Sequence, residues 1–599
     1  MMVIEVSRNN NQKYKLRITK LRERIKALNL DGFIVPRSDK YQNEFIQDSD
    51  ERLRWLTGFS GSAGTCLVTE SAAFIFVDGR YTTQVQSEVD KNIFKIIETY
   101  KTSFNNWLQL NCQNKQIGFD PWLHTVNDMS QGDFNKKTQV NLVECANLVD
   151  EIWENQPKSS KLIIKEHPIT FSGLESKKKR LLISNSMKRN KIDVLILTKP
   201  DSICWLLNIR GKDLEHTPIV QSMALVYSNS KVKLFIRDGN VNKDISKFLG
   251  ADIKIVDENS FCDNIKLLGD KTVQIDPKTC PKKISGILEN IPGKRIDAED
   301  PCNLSKALKN RTEILGCKTA HLIDGSAFIN FLYWFYNTID KCQIDEILIK
   351  KKLKSFREAT GKLEGMAFES ICGMGENAAI IHYRVTEKTN KKLMRNNVLL
   401  LDSGGQYKMG TTDLTRTIAI GKPTRKMIDS YTRVLKGLIT ISALNWPAGL
   451  AGKDIDSLAR KSLWSAGLDY EHGTGHGIGS YLSVHEGPHG ISRRNNVPLS
   501  PGMLVSNEPG FYKPGEFGIR IENVLLIKKS PIKLNGKGEM LTSETLSLAP
   551  IDKNLIDIKL LTHDEREWLN SYHKKVEKKI GPLLDPKVKS WLQDACSPI

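Results

Sequence analysis

The N-terminal half of this 599-residue chain carries an internal repeat, and the repeat limits the folds that are open to it. Each copy contains a helical pattern, the motif Asp-x-x-Ile-aliphatic-x-basic-x-Asp, a Trp-Leu pair six residues before a glycine, and an apolar run. These features stand in the same order at 16–28, 31–39, 55–61 and 73–77, and again at 176–189, 193–201, 205–211 and 223–227. One match has little weight, but four in one order predict two domains of the same α/β type.

A third region begins with a long helical pattern, in which apolar residues recur at helical spacing from Glu313 through Tyr336. Short apolar runs that end in turns follow it and have the length of strands, at 398–401, 418–420, 503–505 and 524–527. The last stretch is helical in pattern and contains several aromatic residues. Since one core holds about 100–200 residues, we predict four segments, with the bounds 1–165, 166–310, 311–548 and 549–599.

The composition is that of a globular protein, with 40% hydrophobic and 26% charged residues. No apolar run is long enough to span a bilayer, so no membrane association is expected. The N-terminus turns polar at Asn9 and lacks the apolar core of a secretory signal. Eleven cysteines are scattered between Cys66 and Cys596 without a Cys-x-x-Cys pair, which indicates reduced thiols. The expected location is the cytoplasm.

The formal net charge of +19 raises the question of a nucleic-acid partner. The basic residues, however, are dispersed along the chain. The densest run, Lys177 to Arg180, continues directly into Leu181 and Leu182, as on an amphipathic helix. We therefore predict a solvated basic helix face there and expect no nucleic acid as a partner.

The polar residues that could carry chemistry lie in the third region. Two aspartates come first, Asp402 at the end of an apolar run and Asp413 eleven residues later. Four of the eleven histidines then fall between residues 472 and 489, at positions 472, 476, 485 and 489. Glu508 follows in Asn-Glu-Pro-Gly and Glu522 in Gly-Ile-Arg-Ile-Glu-Asn.

Four carboxylates and a histidine at strand edges suit a pair of divalent metals, because carboxylates can bridge two cations and offset their repulsion. Oxygen ligands with one imidazole favour manganese, cobalt or zinc over copper. Other interpretations exist for each part alone. An aspartate after an apolar run is often a cap, alternating glycines can form a phosphate-binding loop, and clustered histidines can be core residues. No Gly-Lys-Ser/Thr follows the glycines, and the ordered set of five favours metal binding.

The sequence resembles the aminopeptidase P (Xaa-Pro aminopeptidase) family in its long three-domain form, over nearly the whole chain. The resemblance rests on these strings: Gly-Phe-Ser-Gly-Ser-Ala-Gly at 58–64, Asp-Gly-Arg-Tyr at 78–81, Asn-Ala-Ala-Ile-Ile-His-Tyr at 377–383, Leu-Asp-Ser-Gly-Gly at 401–405, Asp-Leu-Thr-Arg-Thr at 413–417, His-Gly-Thr-Gly-His-Gly at 472–477, Val-His-Glu-Gly-Pro at 484–488, Glu-Pro-Gly at 508–510 and Gly-Ile-Arg-Ile-Glu-Asn at 518–523. It implies two similar α/β creatinase-like domains, a mixed α/β and α+β chain overall, and a pita-bread catalytic domain with a packed C-terminal extension.

The resemblance also implies the metal ligands. Asp413 and Glu522 would bridge two divalent metals, with Mn²⁺ as the expected ion, about 3.5 Å apart. Asp402 would complete the shell of one metal, and His476 and Glu508 that of the other. The metals would share a hydroxide, which attacks the carbonyl carbon before proline.

Further roles follow from the same resemblance. Glu508 would carry a proton from the water to the leaving nitrogen. His382 and His485 would bind the substrate carbonyl and steady the oxyanion. His472 would line the proline pocket. Arg520, two residues before Glu522 on a strand, would orient the ligand carboxylates from behind.

The expected activity is removal of the N-terminal residue from peptides with proline in second position. The resemblance also implies a homodimer. Two alternatives stay open. A prolidase, which cuts only X-Pro dipeptides, shares the five ligands but not the long N-terminal half and C-terminal extension. An inactive pita-bread binding module would have lost ligands, whereas all five are present here.

Overall fold

The computed structural model of the chain describes residues 2–130, 140–159 and 162–599. The described residues form two compact units. One comprises Met1–Glu166, Leu174–Leu214 and Ile219–Cys302, and the other comprises His167–Gly173, Glu215–Pro218 and Asn303–Ile599. The segment bounds at 165, 310 and 548 stay predictions.

The first unit opens with a six-stranded sheet in the order β4-β3-β2-β1-β5-β6. Its strands are β1 Gly32–Pro36, β2 Thr65–Thr69, β3 Ala73–Val77, β4 Phe94–Glu98, β5 Gln116–Phe119 and β6 Asn141–Glu144. The helices along this stretch are α1 Met2–Ala27, α2 Arg52–Thr57, α3 Thr82–Glu88, α4 Phe104–Asn111 and α5 Val126–Ser130.

The second half of this unit holds another six-stranded sheet, in the order β12-β11-β10-β8-β13-β14. Its strands are β8 Val194–Leu197, β10 Ser222–Tyr227, β11 Val232–Ile236, β12 Ile253–Asp257, β13 Val273–Ile275 and β14 Arg295–Asp297. A separate pair is formed by β7 Ile164–Glu166 and β9 Ile209–Gly211. The helices are α6 Ile169–Ser172, which belongs to the other unit, α7 Ser176–Arg189, α8 Pro200–Leu207, α9 Lys243–Leu249, α10 Phe261–Lys266 and α11 Lys282–Leu288.

The two sheets share one topology. In each, the strand from the repeated motif pairs antiparallel with the next sheet strand and parallel with the fifth, as β1 does with β2 and β5, and β8 with β10 and β13. The predicted duplication is confirmed. One match was displaced, because the apolar run 73–77 is β3, whereas the run 223–227 lies in β10, the counterpart of β2. Both antiparallel hairpins are apolar, so the sequence pattern alone did not separate their strands.

The basic run on α7 agrees with our prediction of a solvated face at Lys177 and Lys178, which are exposed, and contradicts it at the next two residues. Lys179 and Arg180 are buried, whereas Leu181 and Leu182 are 43% and 56% exposed. The Lys179 ammonium donates hydrogen bonds to the carbonyl of Trp205 (2.9 Å) and to Oδ1 of Asn208 (2.7 Å), at the C-terminal end of α8. A cation is favourable at that end, because the last carbonyls of a helix lack partners within it.

The other unit combines long helices with short antiparallel sheets. Its remaining helices are α12 Pro301–Ala307, whose first two residues belong to the first unit, α13 Arg311–Thr338, α14 Glu346–Glu358, α15 Arg425–Ala443, α16 Gly452–Trp464, α17 His563–Ile580 and α18 Pro586–Ala595. Its strands are β15 Leu363–Met366, β16 Ile371–Met374, β17 Asn397–Ser403, β18 Gly405–Tyr407, β19 Gly410–Thr411, β20 Leu414–Ile420, β21 Trp446–Pro447, β22 Gly475–His476, β23 Gly490–Ile491, β24 Leu504–Asn507, β25 Gly510–Lys513, β26 Phe517–Arg520, β27 Asn523–Leu534 and β28 Gly538–Thr545. The sheets run β15-β18-β19, β16-β17-β20, β21-β28-β27-β24, β22-β23 and β25-β26.

The predicted elements of this region are present. The helical pattern from Glu313 is α13, which begins at a capping box formed by Asn310 and Glu313. The four apolar runs predicted as strands lie in β17, β20, β24 and β27. Our placement of Arg520 and Glu522 on one strand is wrong, because β26 ends at Arg520 and β27 begins only at Asn523.

The C-terminal helices pack into the main core of this unit. Leu569, Tyr572 and Val576 of α17 and Leu592 of α18 share one hydrophobic cluster with residues of α15 such as Leu438. Burial of this apolar surface stabilises the docking of α17 and α18. Within the described ranges, no helix combines the length and the apolar composition that a membrane crossing requires.

Candidate metal centre

The five predicted ligands all stand at the ends of strands. Asp402 is the penultimate residue of β17, and Asp413 lies between β19 and β20. His476 ends β22, Glu508 separates β24 from β25, and Glu522 separates β26 from β27. At a strand end the backbone leaves the ladder, so side chains from several strands can converge there.

Three of the five converge closely. Asp413, His476 and Glu522 each offer a ligand atom, and these atoms lie within 4.8 Å of one another. Nε2 of His476 is 3.5 Å from Oδ2 of Asp413 and 3.4 Å from Oε1 of Glu508, which places Glu508 beside the group. Asp402 forms an ion pair with Arg520, and the charge of Asp402 helps to raise the pKa of that guanidinium.

Buried carboxylate oxygens without partners mark this site. Oδ1 of Asp402, Oδ1 of Asp413 and Oε1 of Glu522 are buried and have no hydrogen-bond partner among the described residues. Buried polar atoms normally have partners, because an unpaired one costs about 1–3 kcal/mol and more when it is charged. Oxygen atoms of this kind beside one imidazole fit a hard divalent cation.

The electrostatics of the carboxylates agree with that assignment. Burial raises the pKa of Asp413 well above its usual range, and the neighbouring charges of Glu522 and Asp402 raise it further. The pKa of Glu522 is raised for the same reasons, burial first and then the charges of Glu508 and Asp402. Carboxylates that repel one another in a buried place need added positive charge.

Part of that positive charge comes from Arg520, which is 2% exposed. Its Nη2 donates to Oδ2 of Asp402 (2.6 Å), and its Nη1 donates to the hydroxyl of Tyr512 (2.5 Å). The backbone carbonyl of Ile381 accepts longer bonds of 3.4 Å from the same guanidinium. Arg520 thus contacts Asp402 rather than Glu522, the neighbour from which its role was predicted.

The glycines around His476 allow neighbouring segments to approach closely. A Cβ on Gly475 would stand 1.9 Å from the carbonyl oxygen of Ser506, and one on Gly477 would stand 2.0 Å from that of Glu486. These positions therefore accept no side chain without movement of the backbone. The alternation of glycine and histidine reflects this packing, and it brings β22 against β24, which precedes Glu508.

The other predicted histidines have distinct surroundings. The ring of His485 packs edge-on against His476, with 4.2 Å between the centroids. A hydrogen bond of 2.9 Å joins Nε2 of His472 to the Tyr512 hydroxyl. His382 is half-buried and directly follows Ile381. His489 differs, since its Nε2 bonds the Leu504 carbonyl (2.7 Å) and burial lowers its pKa to about 4. It is a core histidine.

Sequence reasoning missed three polar residues at this site. Tyr512 joins Arg520 to His472, the hydroxyl of Thr415 donates to Oε2 of Glu522 (2.8 Å), and the hydroxyl of Ser506 donates to Oε1 of Glu508 (3.2 Å). Their positions give a signal in retrospect. Thr415 follows Asp413 by two residues and Ser506 precedes Glu508 by two, so they fall near the ligands on extended backbone.

Known families match the chain in four consecutive stretches. The creatinase/prolidase N-terminal domain matches residues 17–152 and 155–313, metallopeptidase family M24 matches 316–529, and the C-terminal region of peptidase M24 matches 539–599. The two N-terminal matches coincide with the two sheets of identical topology.

Individual relatives extend over the full length. A protein of Laccaria bicolor described as a probable Xaa-Pro aminopeptidase P is 36% identical, over 97% of this chain and 93% of that protein. Xaa-Pro aminopeptidase 1 of Dictyostelium discoideum is also 36% identical, over 97% and 96%. The crystal structure of an X-prolyl aminopeptidase from Caenorhabditis elegans superposes with a TM-score of 0.94 at 32% identity, over 98% of this chain and all of that one.

The fold, the site and these matches together define a metallopeptidase, a hydrolase whose pita-bread domain follows two creatinase-type domains. Within that class, the chain belongs to the Xaa-Pro aminopeptidase P family. The predicted family, fold class and enzyme class are confirmed, and so is the predicted function as an Xaa-Pro aminopeptidase.

Proposed function

We propose that Asp402, Asp413, His476, Glu508 and Glu522 hold two divalent cations and that this centre hydrolyses the bond before a proline in second position. The observation that carries the proposal is a set of three buried carboxylate oxygens, on Asp402, Asp413 and Glu522, that find no hydrogen-bond partner in the part of the chain that the structure describes. The relative from C. elegans is described as having a di-nuclear active site, which supports the number of cations.

The five side chains would be distributed over the two cations as follows. Asp413 and Glu522 are the residues suited to serve both, since they offer ligand atoms within 4.8 Å of each other and each has a buried carboxylate oxygen without a partner among the described residues. Asp402 would serve one cation, while His476 and Glu508, adjacent to each other, would serve the other. When bound, divalent cations supply Lewis-acid polarisation of the substrate carbonyl and lower the pKa of a water molecule.

Manganese is the cation that we propose. The ligand set contains oxygen atoms from four carboxylates and a single imidazole nitrogen, without a thiolate. Such a hard set favours Mn²⁺ over copper, which prefers more nitrogen and sulfur. Cobalt and zinc remain compatible with the same ligands, so the cation is decided by measurement.

Glu508 is the proposed proton carrier. Its carboxylate side chain is 18% exposed, so water and substrate can reach it, whereas the side chain of Asp413 is only 4% exposed. The Ser506 hydroxyl fixes its Oε1. A carboxylate in this place can take a proton from the attacking water and deliver it to the departing proline nitrogen.

Histidines on the open side of the site would handle the substrate. His485 is exposed and packs on His476, which places its imidazole beside the cation ligands. A buried ion pair of Lys309 with Glu486 fixes the backbone next to it. We propose that His485 and His382 donate hydrogen bonds to the developing oxyanion.

His472 and Tyr512 would form part of the proline pocket. Their rings meet edge-on, 5.4 Å apart, and a hydrogen bond joins them, while the His472 ring also packs on Tyr470 with 4.8 Å between the centroids. An X–Pro bond is a tertiary amide with φ fixed near −65°, so a pocket shaped for the ring is needed to present it.

The cytoplasm and a homodimer complete the proposal. The C. elegans relative is described as a cytosolic enzyme, and the described residues contain no helix that could cross a membrane. The homodimer rests on family resemblance. Light scattering of the purified chain measures its mass directly, and the mass of one chain would contradict the dimer.

The decisive test combines metal content with activity. Protein treated with a chelator should be inactive on Arg-Pro-Pro and regain activity best with Mn²⁺. Asp413→Ala and Glu522→Ala should each lose both ions in elemental analysis, because each residue serves two. The control is Asp429→Ala, which breaks the half-buried ion pair of Asp429 with Arg433 on α15 and should keep the metal. Full activity of either ligand variant would refute the assignment.

A further inference from the structure

Arg416 is a buried cation next to the proposed metal ligands. None of the oxygen atoms to which its guanidinium is seen to donate is a carboxylate oxygen. Its side chain is 1% exposed. Its guanidinium donates to six neutral oxygen atoms: Pro550 O (3.0 Å), Thr415 O (2.8 Å), Glu522 O (2.7 Å), Asn523 Oδ1 (2.9 Å), Ala549 O (2.8 Å) and the Tyr572 hydroxyl (2.8 Å). A guanidinium has five N–H groups, so every donor is in use.

Three of these acceptors lie at or next to the metal centre, on Thr415, Glu522 and Asn523. Nη1 of Arg416 bonds the carbonyls of Thr415 and Glu522. Two hydrogen bonds between Thr415 and Glu522 fix the side chain and the backbone of Glu522. The Thr415 hydroxyl donates to Oε2 of Glu522 (2.8 Å), and the Glu522 amide donates to Thr415 O (3.1 Å). Arg416 therefore holds the backbone from which that carboxylate projects.

The other half belong to the C-terminal stretch, at Ala549, Pro550 and Tyr572. The Tyr572 hydroxyl accepts the bond from Arg416 and donates within reach of Ala549 O (2.9 Å) and Ser547 O (3.1 Å). Its ring stacks on Trp568, 5.4 Å away and 5° from parallel. The hydroxyl is thus fixed in place by α17.

The same stretch also reaches the second proposed bridging residue. The hydroxyl of Ser547 donates to the backbone carbonyl of Asp413 (3.2 Å) and accepts from the amide of Val524 (2.8 Å). Residues 547–550 together with Tyr572 thereby contact the backbone on either side of the site, next to Asp413 and next to Glu522.

We infer that Arg416 and Tyr572 are positioning residues that couple the C-terminal helices to Asp413 and Glu522 and so set the affinity for the cations. The inference rests on the proposed ligand assignment. Loss of the Tyr572 hydroxyl removes one acceptor of Arg416 and releases the backbone of Glu522. Partners that orient metal ligands in this way typically change metal affinity or activity by about 10–100-fold.

The matched variants are Tyr572→Phe and Tyr431→Phe. Both remove one buried hydroxyl from the same hydrophobic cluster and leave the ring in place. The charge of Arg416 reaches the Tyr431 hydroxyl, but this hydroxyl is not among the six acceptors of Arg416, so its removal leaves that hydrogen-bonded set intact. Arg416→Lys is a harsher second variant, because one ammonium cannot serve six acceptors.

The test is Mn²⁺ binding to the metal-free full-length protein by titration calorimetry, with thermal unfolding recorded in parallel. Tyr572→Phe should bind Mn²⁺ about 10-fold or more weakly and regain wild-type kcat when Mn²⁺ is raised in proportion. Tyr431→Phe should bind like the wild type. Restoration by added metal separates a positioning role from a general loss of stability.

Two results bear on different claims. If Tyr572→Phe binds Mn²⁺ as tightly as the wild type, or melts earlier without a change in affinity, the coupling is refuted. Glu522→Gln tests the ligand assignment separately. If that variant binds Mn²⁺ like the wild type, the assignment itself fails, whatever Tyr572→Phe does.

Discussion

The guanidinium of Arg520 donates to Oδ2 of Asp402 across 2.6 Å, and Oδ1 of the same carboxylate is buried without a partner among the residues described. One oxygen is thus held by a fixed cation and the other is left for a metal. The bond fixes the rotation of the carboxylate and favours its charged form, so Arg520 should determine the orientation of Oδ1 of Asp402 toward a cation.

Replacement of Arg520 tests that relationship. A lysine at this position cannot reach Asp402, Tyr512 and the Ile381 carbonyl at once, because its charge is a single point. Arg520→Lys should weaken Mn²⁺ binding or activity by about 10–100-fold. Calorimetry measures the affinity, and Arg433→Lys on α15 is the control, because this half-buried guanidinium bonds Asp429 and the Ser462 carbonyl rather than a proposed ligand. Unchanged affinity in Arg520→Lys would contradict the role.

The histidines should separate into two groups. His476→Ala should lose metal and activity together, since His476 lies within ligand distance of Asp413 and Glu508. His382→Ala and His485→Ala should keep their metal and lose about 10²–10³-fold in kcat, the usual cost of one oxyanion donor. Elemental analysis and steady-state kinetics on Arg-Pro-Pro distinguish the groups. Equal metal loss in all three variants would show that the roles are wrong.

Substrate length should distinguish this enzyme from a prolidase. A nine-residue peptide with proline in second position should release one residue and then stop, as seen by mass spectrometry. The same peptide with an acetylated N-terminus should resist, because both the charge of the amine and the space it occupies are lost. A peptide with alanine in second position should be cut far more slowly. Cleavage of dipeptides alone would favour a prolidase.

Acid should destabilise the C-terminal region through His573. Burial lowers the pKa of this imidazole to about 3, with Lys553 and Arg416 adding repulsion, and its Nε2 accepts from the Ile551 amide (3.0 Å). The folded state therefore binds the neutral form. Its stabilising effect is complete above the ordinary pKa of about 6.5 and is lost as pH falls from there toward 3.

The corresponding variant is His573→Gln, whose amide oxygen can replace the acceptor. Between pH 6 and 5 it should lose less stability than the wild type, by at most about 1.4 kcal/mol, the effect of one proton over one pH unit. Urea unfolding at both pH values measures the difference. His563→Gln, at the exposed start of the same helix, should keep the wild-type slope. Parallel slopes for His573→Gln and the wild type would contradict the prediction.

The sequence predicted the ligands and the repeat because both are local signals. Asp402 and Asp413 follow or precede apolar runs, and the strand ends bring them together. The repeated motif placed β1 and β8 at the same position of two like sheets. Such patterns involve residues that are close together in the sequence.

The remaining features depend on contacts between distant parts of the chain. Arg416 bonds Ala549, Pro550 and Tyr572, which are more than one hundred residues away. Lys179 was expected in solvent because its neighbours are basic, and only the end of α8 explains its burial. No periodicity reports which acceptor a buried cation will meet, so these contacts could not be predicted.

The ladder between β24 and β27 has a practical consequence for protein engineering. It pairs Asn507 with Asn523, so Glu508 and Glu522 stand one residue beyond the same rung. A length change at that end would turn one glutamate to the opposite face. At the far end of β27 the exposed turn 535–537 joins it to β28, and Gly536 should stay as glycine there because its φ is 74°. An affinity label or a fluorophore attachment site belongs in that turn, where an inserted loop leaves the register of the catalytic strands unchanged.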